Sequence, residues 1–236
     1  MIYWLECTLP TLAANLALDE ALLLEAEAGG PEVLRIWEWP TPAVVLGAGS
    51  RLSEEVDEAA CLAAGVLIRR RSSGGGSVLL GPGCLLFSLV LSYDRLPLLR
   101  EVNASYRFIL ERLCLALELP TVRCAGVSDL AWAGRKVSGN SQQRKRRFLL
   151  HHGTLLYGFD LAAVSRFLPV PRRQPDYRQG RSHDDFLANL PVPVEQLRQR
   201  LRRVWEAVAE LLEWPQQRVE DLVREKYDQP EWVRRR

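Results

Sequence analysis

Methionine is nearly missing from this chain: there is one in 236 residues, Met1. Histidine is almost as scarce, with His151, His152 and His183 the only three. Two of them are adjacent and no spacing among them suits a metal, so nothing points to a histidine-based metal centre. The five cysteines, Cys7, Cys61, Cys84, Cys114 and Cys124, are odd in number and form no Cys-x-x-Cys motif. That pattern fits reduced thiols in a cytoplasmic protein better than a disulfide framework. Long apolar runs are lacking too; a stretch such as Leu85 to Leu91, interrupted by Ser88, is far too short to span a bilayer, so no membrane partner is expected. The N-terminus, MIYWLECTLP, has neither a basic stretch nor a long apolar core, and no signal peptide is expected. Charge of one sign is also missing. The 31 basic and 29 acidic side chains leave a net charge of +2, which gives no support to a nucleic-acid binder.

What remains is globular in composition, with 47% hydrophobic and 25% charged residues, enough to bury a sizeable core. The length fits one large domain, or one domain with a small appendage. Apolar periodicity predicts helices over Leu12–Ala28, stopped by Gly29-Gly30, and over Glu54–Ala64, capped by Ser53. It predicts further helices over Val102–Leu117, Val194–Leu212 and Arg218–Tyr227. Strands are expected at Val33–Trp37, Ala43–Leu46, Val66–Arg70 and Leu85–Leu91. Leu130–Ala133 and Arg135–Val137 flank a turn at Gly134, and a strand near Phe148–Tyr157 follows the basic run Arg144-Lys145-Arg146-Arg147. The proline- and arginine-rich stretch Pro169–Gly180 is expected to be a mobile loop. These elements describe an α+β fold, a mixed sheet flanked by helices. Residues 1–190 would form the catalytic part, and 191–236 a helical segment packed on it, with no separate accessory domain.

Three stretches carry chemistry. The first is Arg69-Arg70-Arg71-Ser72-Ser73-Gly74-Gly75-Gly76-Ser77-Val78. Three glycines permit positive φ and close backbone approach, and their amides together with the serines and arginines suit anionic oxygens. Neither a dinucleotide fingerprint nor a P-loop has this glycine spacing, and a plain surface turn is the competing explanation. The second is Gly126-Val127-Ser128-Asp129-Leu130 followed by Gly134-Arg135-Lys136-Val137-Ser138-Gly139-Asn140. A strand lysine facing a pocket can neutralise developing negative charge; a solvent-facing lysine is the commoner case. The third is His151-His152-Gly153-Thr154-Leu155-Leu156, where adjacent strand residues face opposite sides, so at most one histidine faces a site.

In this order the three stretches closely resemble the catalytic domain of the lipoate-protein ligase A family, within the wider group of biotin protein ligases and octanoyltransferases. The resemblance runs from the N-terminal helix to about Asp160. It implies a central mixed sheet with flanking helices. It implies a site for ATP and acyl-adenylate made of Arg71, Ser73, Gly75, Gly76, Ser77, Val78 and Leu79 on the glycine loop. Asp129 and Lys136 on the hairpin and Gly153 and Thr154 on the following strand complete that site, with Lys136 contacting acyl carbonyl and phosphate. The implied reaction is ligation: lipoate or octanoate is activated by ATP with Mg2+, then transferred to a lysine of a lipoyl carrier domain. Such a carrier is an H-like protein of the glycine cleavage type or the E2 lipoyl domain of a 2-oxoacid dehydrogenase. Val44–Leu46 and Leu85–Leu89 would line the acyl tunnel.

Two departures from the family keep an alternative open. Leu79-Leu80-Gly81 stands where the ligases carry a histidine and an acid. The full-length ligase also has an accessory domain that assists adenylation, so a separate partner subunit is one expectation here. The alternative is an ATP-independent octanoyl or lipoyl transferase working through a Cys124 thioester; against it, a small packed residue is the favoured reading of Cys124. The basic run at 144–147 offers a docking surface for an acidic carrier. Within Tyr177–Phe186, Arg178 and Arg181 are candidates to reach a phosphate, and Asp184 and Asp185 to hold magnesium; a salt-bridged surface loop is the competing reading.

Overall fold

A computed structural model describes residues 1–236. The chain begins with strand β1 (Ile2–Glu6), absent from the sequence reading, and helix α1 (Leu12–Glu27). The Thr11 side chain accepts from the Ala14 amide at the start of α1, and Gly29 ends it at φ +112°. β2 (Glu32–Glu38) and β3 (Ala43–Leu46) follow as expected. The single helix expected over Glu54–Ala64 is instead two, α2 (Leu52–Glu55) and α3 (Glu58–Ala63). Between them Val56 is extended and buried in the core, and Asp57 rather than Ser53 is the cap, accepting from Ala60 at 2.8 Å. β4 (Leu67–Arg70) leads into the glycine-rich loop and a short β5 (Val78–Leu80) leads out of it.

β6 (Cys84–Ser92) and α4 (Val102–Leu117) come next, then four strands: β7 (Arg123–Ala125), β8 (Asp129–Trp132), β9 (Arg135–Arg144) and β10 (Phe148–Leu156). Ala133 and Gly134 both take positive φ, the geometry of a two-residue hairpin turn between β8 and β9. The basic run at 144–147 turns β9 into β10. α5 (Ala162–Phe167), α6 (His183–Phe186) and α7 (Val194–Val204) follow. The helix expected to reach Leu212 stops at Val204, because Glu206 adopts a left-handed φ of +51°. The chain then straightens into β11 (Ala209–Glu210) alongside β1. α8 (Gln216–Leu222) starts two residues earlier than expected and loosens into a π turn at Val223–Tyr227; α9 (Pro230–Val233) is last.

The main sheet has eight strands in the order β11-β1-β2-β6-β10-β9-β8-β7. The pairs of β1 with β11 and with β2 are parallel and the rest are antiparallel. A small sheet, β4-β3-β5, carries the glycine loop between β4 and β5. Two cores result. One joins α1 and the small sheet to one side of the main sheet; the other packs α4 and α7 against the opposite side. β6 lies between β2 and β10 and is buried along eight of its nine residues, so its sequence is a nearly continuous apolar run. No helix is long and apolar enough to cross a membrane.

Candidate active site

Strand alternation builds the site on the α1 side. Arg35 on β2, Ser88 on β6 and His152 on β10 lie opposite one another across three strands, so their side chains share a face. α1 lowers Asp19 onto this row. Arg35 Nη1 donates to Asp19 Oδ1 at 2.7 Å, and its other donors reach Asn15 and the Cys7 carbonyl. Burial pushes the Asp19 carboxyl up, but Arg35 and His152 outweigh it and hold the group below its ordinary value. Asp19 Oδ2 faces His152 Nδ1 at 3.1 Å. The carboxylate therefore fixes the proton on Nδ1 and leaves Nε2 to accept from Ser73 Oγ at 2.5 Å. Ser73 in turn accepts from Arg71 Nε at 3.0 Å.

Arg71 shapes the glycine loop from inside. Its guanidinium donates to the carbonyls of Gly74 at 2.5 Å, Gly76 at 2.9 Å and Val45 at 3.2 Å. Burial lowers its pKa to about 10, with Glu55 opposing the shift. Gly75 takes φ +82°, and its carbonyl oxygen would lie 1.9 Å from a Cβ at Gly47, so the loop folds directly on another glycine. Glu55 Oε2 accepts from the Ser77 amide and hydroxyl, both at 2.8 Å, and from Ser50 at 2.9 Å. A carboxylate of the chain itself thus occupies a loop amide of the kind an anion would use.

Beside the loop opens a cavity of about 520 Å³. Gly75, Gly76, Ser77, Val78 and Leu79 form one wall, with the Arg71 side chain behind them. Asp129, Lys136, Gly153 and Thr154 reach the same space. Ser73 does not; it lies buried behind His152. Lys136 Nζ meets Asp129 Oδ1 at 2.8 Å, and the lysine passes over Gly139, where a Cβ would lie 2.9 Å from Nζ. Gly153 is equally constrained, since a Cβ there would stand 2.1 Å from Asn140 Oδ1. The deeper walls are apolar: Leu16, Trp37, Val45, Leu86 and Phe87. Of the two stretches expected to line a tunnel, Val45 of the first and Leu86, Phe87 and Ser88 of the second do so.

The two histidines divide as alternation requires. His152 faces the cavity, while His151 faces the α4 side, where burial, with His152 adding to it, pushes its pKa down to about 3. Pro169–Gly180, expected to be a mobile loop, runs along the cavity: Pro171, Arg173, Pro175 and Arg178 line it. Arg178 reaches the cavity, whereas Arg181 is spent on the carbonyls of Tyr177 and Gly134. Asp184 and Asp185 lie off the cavity wall. Asp184 accepts from Ser165, and Asp185 meets Ser182, the residue capping α6. The carboxylates that do line the cavity are engaged: Asp19 by Arg35 and His152, Glu55 by Ser77, Asp129 by Lys136 and Tyr177. No three potential ligands converge. This donor set does not fit a protein-held magnesium.

Cys124 lies on β7 and packs with Cys114 of α4 into the opposite core. A hydrogen bond between the two thiols lowers the Cys124 pKa and raises that of Cys114. Cys124 is not on the cavity wall. Asp19, Trp37, Glu55 and Tyr177 are the site residues that sequence reasoning missed. An acid inside the apolar run LALDEALLL was the available signal for Asp19.

The family model for the lipoyl protein ligase A/B catalytic domain matches residues 11–208. An octanoyltransferase LipM of Carboxydothermus hydrogenoformans is 35% identical over 66% of the chain, and the match spans 65% of that protein. The corresponding protein of Kyrpidia tusciae is 31% identical over 84% of the chain and 81% of its own length. The bi-partite lipoate protein ligase of Thermoplasma acidophilum, described with its E2 lipoyl domain, superimposes with a TM-score of 0.81 at 24% identity, covering 99% of this chain and 95% of that one. A lipoate-protein ligase A bound with ATP gives 0.82 at 24% identity, covering 99% and 97%. With its fold shared across these structures and its family model matched over most of its length, the chain belongs to the lipoyl protein ligase A/B catalytic-domain family.

Proposed function

We propose that the chain is a lipoate-protein ligase. Lipoate lies with its apolar chain along Leu16, Trp37 and Leu86, and its carboxylate oxygen attacks the α-phosphorus of ATP. The bond to the β-phosphate oxygen breaks and pyrophosphate leaves. The ε-amine of a lysine on a lipoyl carrier domain then attacks the acyl carbon, loses a proton, and displaces AMP. Both steps build negative charge on oxygen, and Lys136 is the cation that meets it. Arg71, Arg173 and Arg178 are the further cationic side chains at the cavity. Arg71, Ser73 and His152 hold the loop that Gly75 to Leu79 present to the adenylate, and Asp129, Gly153 and Thr154 shape the facing wall. Residues 1–190 carry this chemistry and 191–236 support it.

The observation that supports this reading is the contrast between Lys136 and Cys124. The lysine is on the cavity wall, and the cysteine packs toward α4. A route without a protein nucleophile suits that arrangement. The ligase of Thermoplasma acidophilum is bi-partite, which favours a separate accessory subunit here as well, and an E2 lipoyl domain as carrier. Five free thiols agree with a cytoplasmic setting.

The second reading is octanoyl transfer without ATP through a Cys124 thioester. It is favoured by relatives named octanoyltransferase LipM. One experiment separates the two. Parent and Cys124→Ser proteins are each given a lipoyl carrier domain, with ATP and lipoate in one tube and octanoylated carrier in another. The ligase reading expects ATP-dependent lipoylation that Cys124→Ser changes by no more than a few-fold. An ATP-independent reaction, with a covalent acyl mass on the parent and none on the variant, establishes the transferase instead.

A further inference from the structure

Between Phe167 and His183 the chain has no regular element except one 3-10 turn, Asp176–Arg178. It is nevertheless fastened at the point where the lysine sits. Tyr177 Oη donates to Asp129 Oδ2 at 2.8 Å, while the other oxygen of the same carboxylate takes Lys136 Nζ at 2.8 Å. Pro175 and the Tyr177 ring cover Gly126, where an added Cβ would lie 3.2 Å from Pro175 Cβ. The Tyr177 ring is 5.1 Å from that of Phe186, over which Arg178 and Arg181 stack at 4.7 and 5.3 Å. Arg178 is 3% exposed, lines the cavity, and has no partner for Nη2. Tyr177 is therefore both the polar anchor of this segment on β8 and the second donor on the counter-ion of Lys136.

A carboxylate held at both oxygens by different donors cannot rotate without breaking one of the bonds. Lys136 is bounded on one side by the Gly139 backbone and on the other by that fixed carboxylate. If the segment swings out, the phenol leaves with it, Asp129 gains freedom to turn, and the ammonium loses its fixed partner. Burial and the Asp129 charge both raise the Tyr177 pKa, so the phenol stays protonated and remains a donor.

We propose that Tyr177 is a positioning residue that couples closure of the Pro169–Gly180 segment over the cavity to the placement of Lys136, by fixing the Asp129 carboxylate between them. Only its consequence for turnover rests on the ligase reading; the coupling itself is a property of the free protein.

The test is Tyr177→Phe, which keeps the ring on Phe186 and Pro175 and removes the hydroxyl alone. Three quantities are measured on the whole chain. The first is the rate of trypsin cleavage after Arg172 and Arg173 within the segment; the Arg172 side chain is 83% exposed. The second is acetylation of Lys136 by an amine-reactive ester, followed by mass spectrometry. Lys145 and Lys226, the other two lysines of the chain, serve as internal references. The third is kcat and KM for acyl transfer. The expected result is several-fold faster cleavage and several-fold faster Lys136 acetylation relative to Lys145. With them, kcat should fall by about 10-fold to 100-fold, the scale of small misplacements of a reacting group, at nearly constant KM. Faster cleavage with unchanged Lys136 labelling overturns the coupling and leaves a plain loop anchor. Unchanged cleavage overturns it as well. If the parent transfers no acyl group while cleavage and labelling respond as expected, the function proposed above is wrong and the coupling stands.

Discussion

The two sides of β10 treat neighbouring histidines in opposite ways. His152 points to the α1 side, into a chain of charged and polar partners that runs from Arg35 through Asp19 to Ser73 and Arg71. His151 points to the α4 side, against Phe87, Tyr106, Gln142 and Asn140, with no carboxylate to favour its charged form. The same division separates Lys136, on the cavity, from Cys124, in the apolar core beneath α4. One face of the sheet concentrates charge around a cavity and the other is a packing face. Side-chain alternation along a strand is enough to place identical residues in these two environments.

The sharpest way to break the charged face is Asp19→Ala, which leaves Arg35 buried at 0% exposure without its carboxylate. Removing one partner of a buried pair costs about 3–5 kcal/mol, to be read from denaturant unfolding. The same pair has an acid signature. Because the folded Asp19 pKa lies below its ordinary 3.8, its contribution is complete above that value and is lost as pH falls through the folded pKa. Next in size is Lys136→Ala. If Lys136 is the cation that meets developing charge, transfer falls by about 100-fold to 1,000-fold, the usual loss for one electrostatic donor. The unfolding midpoint should move far less than for Asp19→Ala, since Asp129 keeps its bond from the Tyr177 hydroxyl. Retained activity would remove Lys136 from the mechanism. At mildly acid pH the smallest effect belongs to the packing face. His151 has a pKa near 3 when folded and 6.5 ordinarily. Across that window the unfolded chain takes up a proton that the folded chain refuses. Stability should therefore fall on acidification by up to about 1.4 kcal/mol per pH unit. His151→Gln should flatten that slope, and an unchanged slope would mean that another group governs it.

How much of this was legible depended on where the signal lay. α1 was readable because an apolar run and a Gly-Gly stop agree. The β8–β9 hairpin was readable from Gly134, and the fold from three motifs in a fixed order. β5 and β7, three residues each, carry too little periodicity to stand out. The break at Val56 was missed because Glu54–Ala64 is rich in Glu and Ala; what marks it is the burial of Val56 in the core and the cap that Asp57 supplies to the second helix. Asp19 looked like an ordinary helix acid until Arg35, sixteen residues later, was brought beside it. Arg71 was expected to hold a ligand; that its guanidinium also holds carbonyls of its own loop is a detail composition alone does not carry. Tyr177 sits in a stretch without periodicity, and its bond to Asp129 spans 48 residues.

The placement of β6 also bears on when the cavity opens. Its amides are paired to β2 on one side and β10 on the other, and its residues Leu86 to Ser88 form the cavity floor. Amides in such a strand exchange with solvent mainly through global unfolding. The roof, from Pro169 to Gly180, has no strand pairing and is held by a few side-chain bonds, so its amides should exchange by local opening at far lower cost. A pulse of deuterium should therefore mark the roof long before the floor, and a bound acyl group should slow the roof while leaving the floor at its global limit.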